Sequence, residues 1–297
     1  GAGACASAVS RRGVLVGLMS GALLVAAPGG ASAGESLDAL QETALIAFNN
    51  REFDKAIAAL GELIRLEPDV LGWKEGRAQA YIDSKRFKPG LRDYDDAIAQ
   101  CPAGDGGTEA RLKSGRALAY EGLGDWERAL EDYNRALELA KAEGYRPDPY
   151  VLNSRGNCLA SLGRWEEARE DYLGSADGFA NSRLRDRYGS DQPRQEGYVT
   201  ASSNAALALV EMGDREKALR EIEILVRRAP GSVDMRAARA ALLWEDGLEK
   251  QAEGEWQFAC ESIDVGCSKY RDRKWLAEIR RWPPSMVEKM AAFLSIS

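Results

Sequence analysis

The chain has 297 residues, of which 45% are apolar, and a formal net charge of -7. This acidic balance disfavours nucleic acids and anionic membranes as main partners, because both are negatively charged. Histidine is absent, which excludes imidazole metal sites, Ser–His triads and Cys–His dyads. The sequence also lacks a phosphate-binding loop and a CxxC pair, so we expect neither a cofactor nor a metal.

Residues 1–33 have the layout of a targeting segment. Arg11 and Arg12 precede an uncharged run over residues 13–27, and Ala31-Ser32-Ala33 supplies the small residues of a cleavage site. The paired arginines resemble a twin-arginine signal, and the Ala/Ser-rich stretch before them resembles the end of an organellar transit peptide. We therefore expect a transit remnant plus a lumenal signal, with no membrane-spanning segment in the mature chain. An ordinary bacterial export signal is the alternative.

A repeated pattern follows the leader. Its six units start near Leu37, Leu71, Ala110, Pro149, Val199 and Val233. Position 8 of each unit is small: Ala44, Ala78, Ala117, Gly156, Ala206 and Ala240. Position 20 is small as well: Ala56, Gly90, Ala129, Ala168, Ala218 and Ala252. Position 24 carries a large side chain in every unit, and four units have a glycine at position 15, namely Gly124, Gly163, Gly213 and Gly247. This pattern predicts paired helices that approach closely and are joined at a left-handed residue.

The small residues at positions 8 and 20 resemble those of the tetratricopeptide repeat. The resemblance covers residues 37–260 and implies an all-α, right-handed α-solenoid of about six helix–turn–helix units. Residues 261–297 are then predicted to be C-terminal capping helices over the sixth unit, with one helix over residues 275–282 and another after Pro283-Pro284.

Arginine recurs at position 7 of four units, and each of these units has an acid at position 23. The predicted structural ion pairs are Arg77–Asp93, Arg116–Asp132, Arg155–Asp171 and Arg239–Glu255. A bidentate pair between antiparallel helices would neutralise each arginine. The fifth unit departs from the rule, because Ala205 stands at position 7 while Glu221 keeps the acid.

The resemblance also implies where a partner binds. First helices line the groove of such arrays, chiefly through positions 2, 5, 9, 12 and 13, and the surface formed by these positions is called the inner face below. Its candidate peptide-binding residues are Gln79, Arg111, Tyr150, Asn153, Asn157 and Trp244. A solvated surface without a ligand is the alternative for all six.

Two further features are candidates for function. The insertion between the fourth and fifth units carries a basic patch of Arg183, Arg185, Arg187 and Arg194, which is suited to an acidic partner or is simply a solvated loop. Cys260 and Cys267 either form a disulfide, as in an oxidising export compartment, or remain free thiols.

An enzyme is the alternative to a binding protein. Abundant carboxylates such as Asp93, Asp95 and Asp96 supply acid–base groups in principle. They fit paired or solvated helix faces better, and the sequence offers no second catalytic partner. We therefore predict no catalytic residues and no enzymatic activity.

The fourth unit and the C-terminal segment, "WQFACESIDVGCSKYRDRKWLAEIRRWPPSMVEKMAAFLSIS", resemble a plant, algal and cyanobacterial family of tetratricopeptide-repeat proteins, some of which reside in the thylakoid lumen. This resemblance implies a chloroplast thylakoid-lumen scaffold that binds protein or peptide and assists assembly or maintenance of photosynthetic complexes. A bacterial periplasmic or exported adaptor is the alternative. The sequence names neither the partner nor the oligomeric state.

Overall fold

The computed structural model describes residues 31–182, 192–264 and 267–295. These residues contain helices and connecting turns without any strand, so the predicted all-α class is confirmed. The helices pair into six antiparallel hairpins in two compact units, divided between Pro147 and Asp148. Within the described ranges, no helix combines the length and apolar character needed to cross a membrane.

The amino-terminal unit holds hairpins 1–3. Its helices are α1 (Ala31–Asn49), α2 (Phe53–Leu66), α3 (Leu71–Asp83), α4 (Phe87–Ala99), α5 (Gly106–Leu123) and α6 (Trp126–Ala142). Helix α1 begins within the predicted cleavage motif, so the first helix includes Ala31-Ser32-Ala33.

The carboxy-terminal unit holds hairpins 4–6 and the tail, which is defined as residues 268–295. Its hairpin helices are α7 (Pro149–Ser161), α8 (Trp165–Asn181), α9 (Gln192–Glu211), α10 (Arg215–Arg228), α11 (Val233–Glu245) and α12 (Glu249–Phe258). Helix α12 continues into a π-helical turn (Ala259–Ile263). The tail comprises a 3₁₀ turn (Ser268–Arg271), a π-helical turn (Trp275–Arg280) and α13 (Pro284–Leu294).

The predicted turn glycines end the first helices of hairpins 3 to 6. All four have positive φ, between 73° and 79°. Arg51 and Lys85 take the same place in hairpins 1 and 2, with φ of 63° and 65°. After two of these turns an aspartate caps the next helix: Asp125 and Asp214 each accept the backbone N–H three residues on.

Close approach of paired helices explains the small residues. The alanines at positions 8 and 20 are fully buried. In hairpin 4, a Cβ atom on Gly156 would lie 2.7 Å from the ring of Tyr172 and 3.2 Å from the carbonyl oxygen of Ala168. Any larger residue would push α7 away from α8, and the large position-24 side chains fill the space that the small ones leave.

Candidate functional site

Two pairs of successive first helices contact each other: α3 with α5 in the amino-terminal unit and α7 with α9 in the carboxy-terminal unit. The inner-face positions of each contacting pair therefore form a shared surface. The ion pairs between helices fix the positions of these helices, and the side chains at the inner-face positions determine which ligand can bind.

The structure brings together the partners of all four predicted ion pairs. Arg155 donates from Nε and Nη2 to the two carboxylate oxygens of Asp171, at 2.7 and 2.6 Å. Arg77 binds Asp93 and Arg116 binds Asp132 in the same bidentate manner, at 2.7–2.8 Å. In hairpin 6, Arg239 Nη1 donates to Glu255, and Arg236 donates to the other oxygen of that carboxylate at 2.7 Å.

Two of these arginines also bind the preceding hairpin of their own unit. Arg116 Nη1 donates to Asp95 of α4 at 2.7 Å, and Arg239 Nη2 donates to Glu223 of α10 at 3.2 Å. Both acids stand at position 25 of the preceding unit. In hairpin 1 that position is Gly61, and Arg77 Nη1 lies 3.6 Å from where its Cβ atom would be. In hairpins 3 and 6, the arginine at position 7 thus braces its own hairpin and joins it to the hairpin before it.

Hairpin 5 obtains its arginine from hairpin 4. Arg169 of α8 donates to Glu221 at 2.7 Å and to the carbonyl oxygen of Ala205 at 2.5 Å. The guanidinium group therefore pairs with the acid that position 7 leaves without an arginine. Sequence reasoning missed Arg169, although the unmatched acid at Glu221 was the signal that an arginine from elsewhere was needed.

These pairs stabilise the charged form of the arginines. Hydrogen bonding to aspartate is the main cause that raises the pKa of Arg77, Arg116 and Arg155 above its ordinary value. The arginines remain cations at any working pH, and their guanidinium forks are already engaged by carboxylates. They hold the helices in place.

The predicted groove residues of the amino-terminal unit lie in polar contacts. Gln79 is buried, donates to Asp83 at 2.8 Å and accepts from the Tyr94 hydroxyl. Arg111 pairs with Oε1 of Glu75 at 3.0 Å. Glu75 is only 2% exposed, and its Oε2 has no hydrogen-bond partner among the described residues. Burial raises the pKa of Glu75 to about 7, and Arg111 opposes only part of that rise.

Three further candidates lie in hairpin 4. Asn157 accepts from the Tyr172 hydroxyl at 3.0 Å, and Asn153 accepts from Asn204 of hairpin 5 at 3.1 Å. Tyr150 stacks edge-on against Phe179, with ring centroids 4.7 Å apart. All three candidates remain partly exposed, and the two amides keep part of their hydrogen-bonding capacity for a ligand.

Trp244, the sixth candidate, lies under the tail. Its ring is 6.5 Å from that of Phe293 in α13. Met286, Val287, Met290 and Phe293 join the buried core of hairpins 5 and 6. The predicted cap over the sixth hairpin therefore also covers the inner face of the fifth.

Arg280 anchors this tail. It donates to both carboxylate oxygens of Asp234 at 2.9 and 2.6 Å, and to Asn204 at 2.8 Å. Trp282 adds a third hydrogen bond to Asp234 at 3.0 Å. Burial opposes the charge of Arg280, yet Asp234 outweighs it, so the pKa of Arg280 is raised. Sequence reasoning missed this pair, because no repeat spacing links the two residues.

Arg183, Arg185 and Arg187 lie outside the described residues, and Arg194 lies near the start of α9. Cys260 and Cys267 form a disulfide. Two of the carboxylates considered for catalysis, Asp93 and Asp95, bind arginines as above. Among the described residues, no cluster of three or more acidic or cysteine side chains is placed to hold a metal ion.

Comparison with known proteins identifies the repeat. The tetratricopeptide-repeat family model matches residues 42–105, 114–182 and 204–257, which is more than half of the chain. A comparison with curated proteins found no match.

Solved structures of similar fold include several repeat proteins. A tetratricopeptide-repeat protein from Parabacteroides merdae is 16% identical with a TM-score of 0.58, covering 88% of this chain and 99% of that one. Pseudomonas aeruginosa pilF is 13% identical with a TM-score of 0.58, covering 82% and 98%. The carboxy-terminal part of a repeat protein from Cytophaga hutchinsonii is 12% identical with a TM-score of 0.54, covering 86% and 95%. These likenesses extend to the fold alone. With its six hairpins and its matched repeats, the chain belongs to the tetratricopeptide-repeat family.

Proposed function

We propose that this chain is a non-catalytic scaffold that binds a protein or peptide segment along its inner face. The observation that carries the proposal is the bracing of first helices within each unit: bidentate arginine–carboxylate pairs fix these helices before any ligand arrives. A surface fixed in advance loses less conformational entropy on binding than a flexible one. Asn153 and Asn157, four residues apart on α7, offer amide groups suited to an extended backbone.

We further propose that the protein works in the chloroplast thylakoid lumen and assists assembly or maintenance of photosynthetic complexes. The leader pattern and the resemblance of the C-terminal segment support this location. The disulfide between Cys260 and Cys267 is in keeping with an oxidising compartment. An exported bacterial adaptor is supported by the leader alone.

Site-specific photocrosslinking tests the binding role. A photoreactive residue at Asn157, on the inner face, is compared with one at Glu170, which is exposed on the second helix of the same hairpin. In lumenal extract we expect a discrete adduct from Asn157 and none from Glu170. Equal labelling at both positions, or none at either, would contradict the proposal.

Import of the radiolabelled precursor tests the location separately. We expect isolated chloroplasts to process the chain and place it in the lumen, where added protease cannot reach it. Export to the periplasm on expression in a bacterium, without import into chloroplasts, would favour the bacterial adaptor.

A further inference from the structure

The inner faces of both units are acidic. In the amino-terminal unit, the inner-face positions carry four acids, Asp38, Glu75, Asp83 and Glu121, and one base, Arg111. In the carboxy-terminal unit they carry three acids, Glu211, Asp234 and Glu245, and no base.

The tail shows what such a face accepts. Each of the three acids in the carboxy-terminal unit is bound by a donor of the tail. Asp234 binds Arg280, Glu211 accepts the backbone N–H of Ser285 at 2.6 Å, and Glu245 pairs with Lys289. Between these polar contacts, the apolar side chains of α13 join the core cluster that includes Leu207 of position 9. A basic amphipathic segment thus satisfies both the charges and the apolar positions of the face.

The amino-terminal unit presents the same chemistry without such a segment among the described residues. Leu45 and Leu118, at position 9, are partly exposed, whereas Leu207 under the tail is 1% exposed. Glu75 is buried, and none of the residues that the structure describes donates to its Oε2. Burial of an acceptor without a donor is unfavourable, so a ligand that supplies the missing donor gains binding free energy.

We propose that the inner face of the amino-terminal unit binds a basic amphipathic segment of a partner protein, with a Lys or Arg donating to Glu75 and apolar side chains covering Leu45 and Leu118. The inference rests on the proposed binding function and adds the chemistry of the partner.

Arg111 competes with a cation of the partner for Glu75. Its side chain is 43% exposed and lies against Glu75, so it supplies positive charge to Glu75 until a ligand does. A partner cation must share Glu75 with Arg111 or turn it aside. Arg111 would bind a ligand carboxylate if the partner were acidic, so its substitution separates the two chemistries.

Fluorescence anisotropy with a defined peptide provides the test. The probe is a labelled peptide of residues 280–295, which carries Arg280, Arg281 and Lys289. The control peptide carries Glu in these three places. Both are titrated with the full chain, whose own tail stays bound because a tethered segment acts at roughly millimolar effective concentration.

We expect the full chain to bind the basic peptide and not the charge-reversed one. Glu75→Gln should weaken binding about tenfold, because a charged hydrogen bond is lost. Arg111→Gln should tighten it, because the competing cation is gone. Glu131→Gln, on the exposed side of α6, should leave the affinity unchanged and serves as the matched control.

Equal binding of both peptides, no binding of either, or no effect of Glu75→Gln would overturn the inference. If the photoreactive residue at Asn157 crosslinks a partner but the basic peptide does not bind, the proposed scaffold function is supported and the proposed specificity for a basic segment is contradicted. Self-association of the full chain that Glu75→Gln abolishes would make a second copy the occupant and would overturn the assignment to a partner protein.

Discussion

The two units carry similar acidic inner faces, yet only the carboxy-terminal one is covered by another part of the described chain. There, Asp234, Glu211 and Glu245 all bind donors of the tail, and the apolar positions between them become core. In the amino-terminal unit, no residue in the described part of the chain donates to Oε2 of Glu75, and Leu118 stays partly exposed.

The difference shows that the role of an inner face depends on whether another segment of the chain covers it. The same helix positions contribute to folding stability where the tail fills them, whereas some of them, such as Leu45 and Leu118, stay partly exposed where it does not. Substitutions on the covered face should therefore cost stability, whereas those on the open face should alter titration and binding.

The largest effect is expected at the covered face. Asp234→Leu leaves Arg280 largely buried without its carboxylate, and removal of one partner of a buried pair costs about 3–5 kcal/mol. Urea denaturation of the variant should show this loss, and limited proteolysis should cleave the tail before the hairpins.

The double variant Asp234→Leu/Arg280→Leu is the control, because it removes both charges together. It should recover much of the lost stability. A double variant as unstable as the sum of the two single ones would show that the pair does not hold the tail.

A smaller effect with a defined pH dependence is expected at the open face. The pKa of Glu75 rises from 4.5 to about 7 on folding, so between these values the folded state binds more protons than the unfolded state. Its contribution to stability therefore falls as pH rises from 4.5 to 7 and stays constant above. Since one pKa unit corresponds to about 1.4 kcal/mol, the loss is at most about 3 kcal/mol.

Glu75→Gln should remove this loss. We expect the variant to gain stability over the native chain progressively from pH 4.5 to 7, as measured by urea denaturation at several pH values. Glu131→Gln should show no such trend. A stability difference for Glu75→Gln that shrinks with rising pH would show that Glu75 is stabilised as a carboxylate.

The smallest effect is expected at the arginine–carboxylate pairs within hairpins, which occur in both units. Arg155 is a quarter exposed, so Asp171→Leu should cost roughly 2–3 kcal/mol. A double-mutant cycle with Arg155→Leu should give a coupling energy of about 2 kcal/mol. Strictly additive losses would mean that the two residues act independently.

The sequence predicts the repeat well because the repeat is local. Positions 7 and 23 lie on paired helices of one hairpin, so their spacing alone brings Arg155 to Asp171. The turn glycines follow from the need for positive φ at a helix end. Lys85 adopts the same conformation without any sign in the sequence, since φ of a non-glycine residue is set by the chain on both sides.

Contacts between hairpins escape this reasoning. Arg169 serves a carboxylate 52 residues away, and Arg280 serves one 46 residues away. Neither arginine forms part of a repeated arginine–carboxylate spacing such as that between positions 7 and 23. The tail is a further case: the predicted helix over residues 275–282 is a π-helical turn that ends at Arg280, where the side chain turns to Asp234. The position of the tail over the inner face depends on hairpins that are distant from the tail in sequence.

The arginine borrowed by hairpin 5 limits how the array can be rearranged. A hairpin with its own position-7 arginine carries its main brace when it is duplicated or transplanted. Hairpin 5 does not, because its brace comes from Arg169 in the hairpin before it. Hairpins 4 and 5 therefore form one inseparable module, and recombination or design that cuts between α8 and α9 would leave Glu221 without its cation.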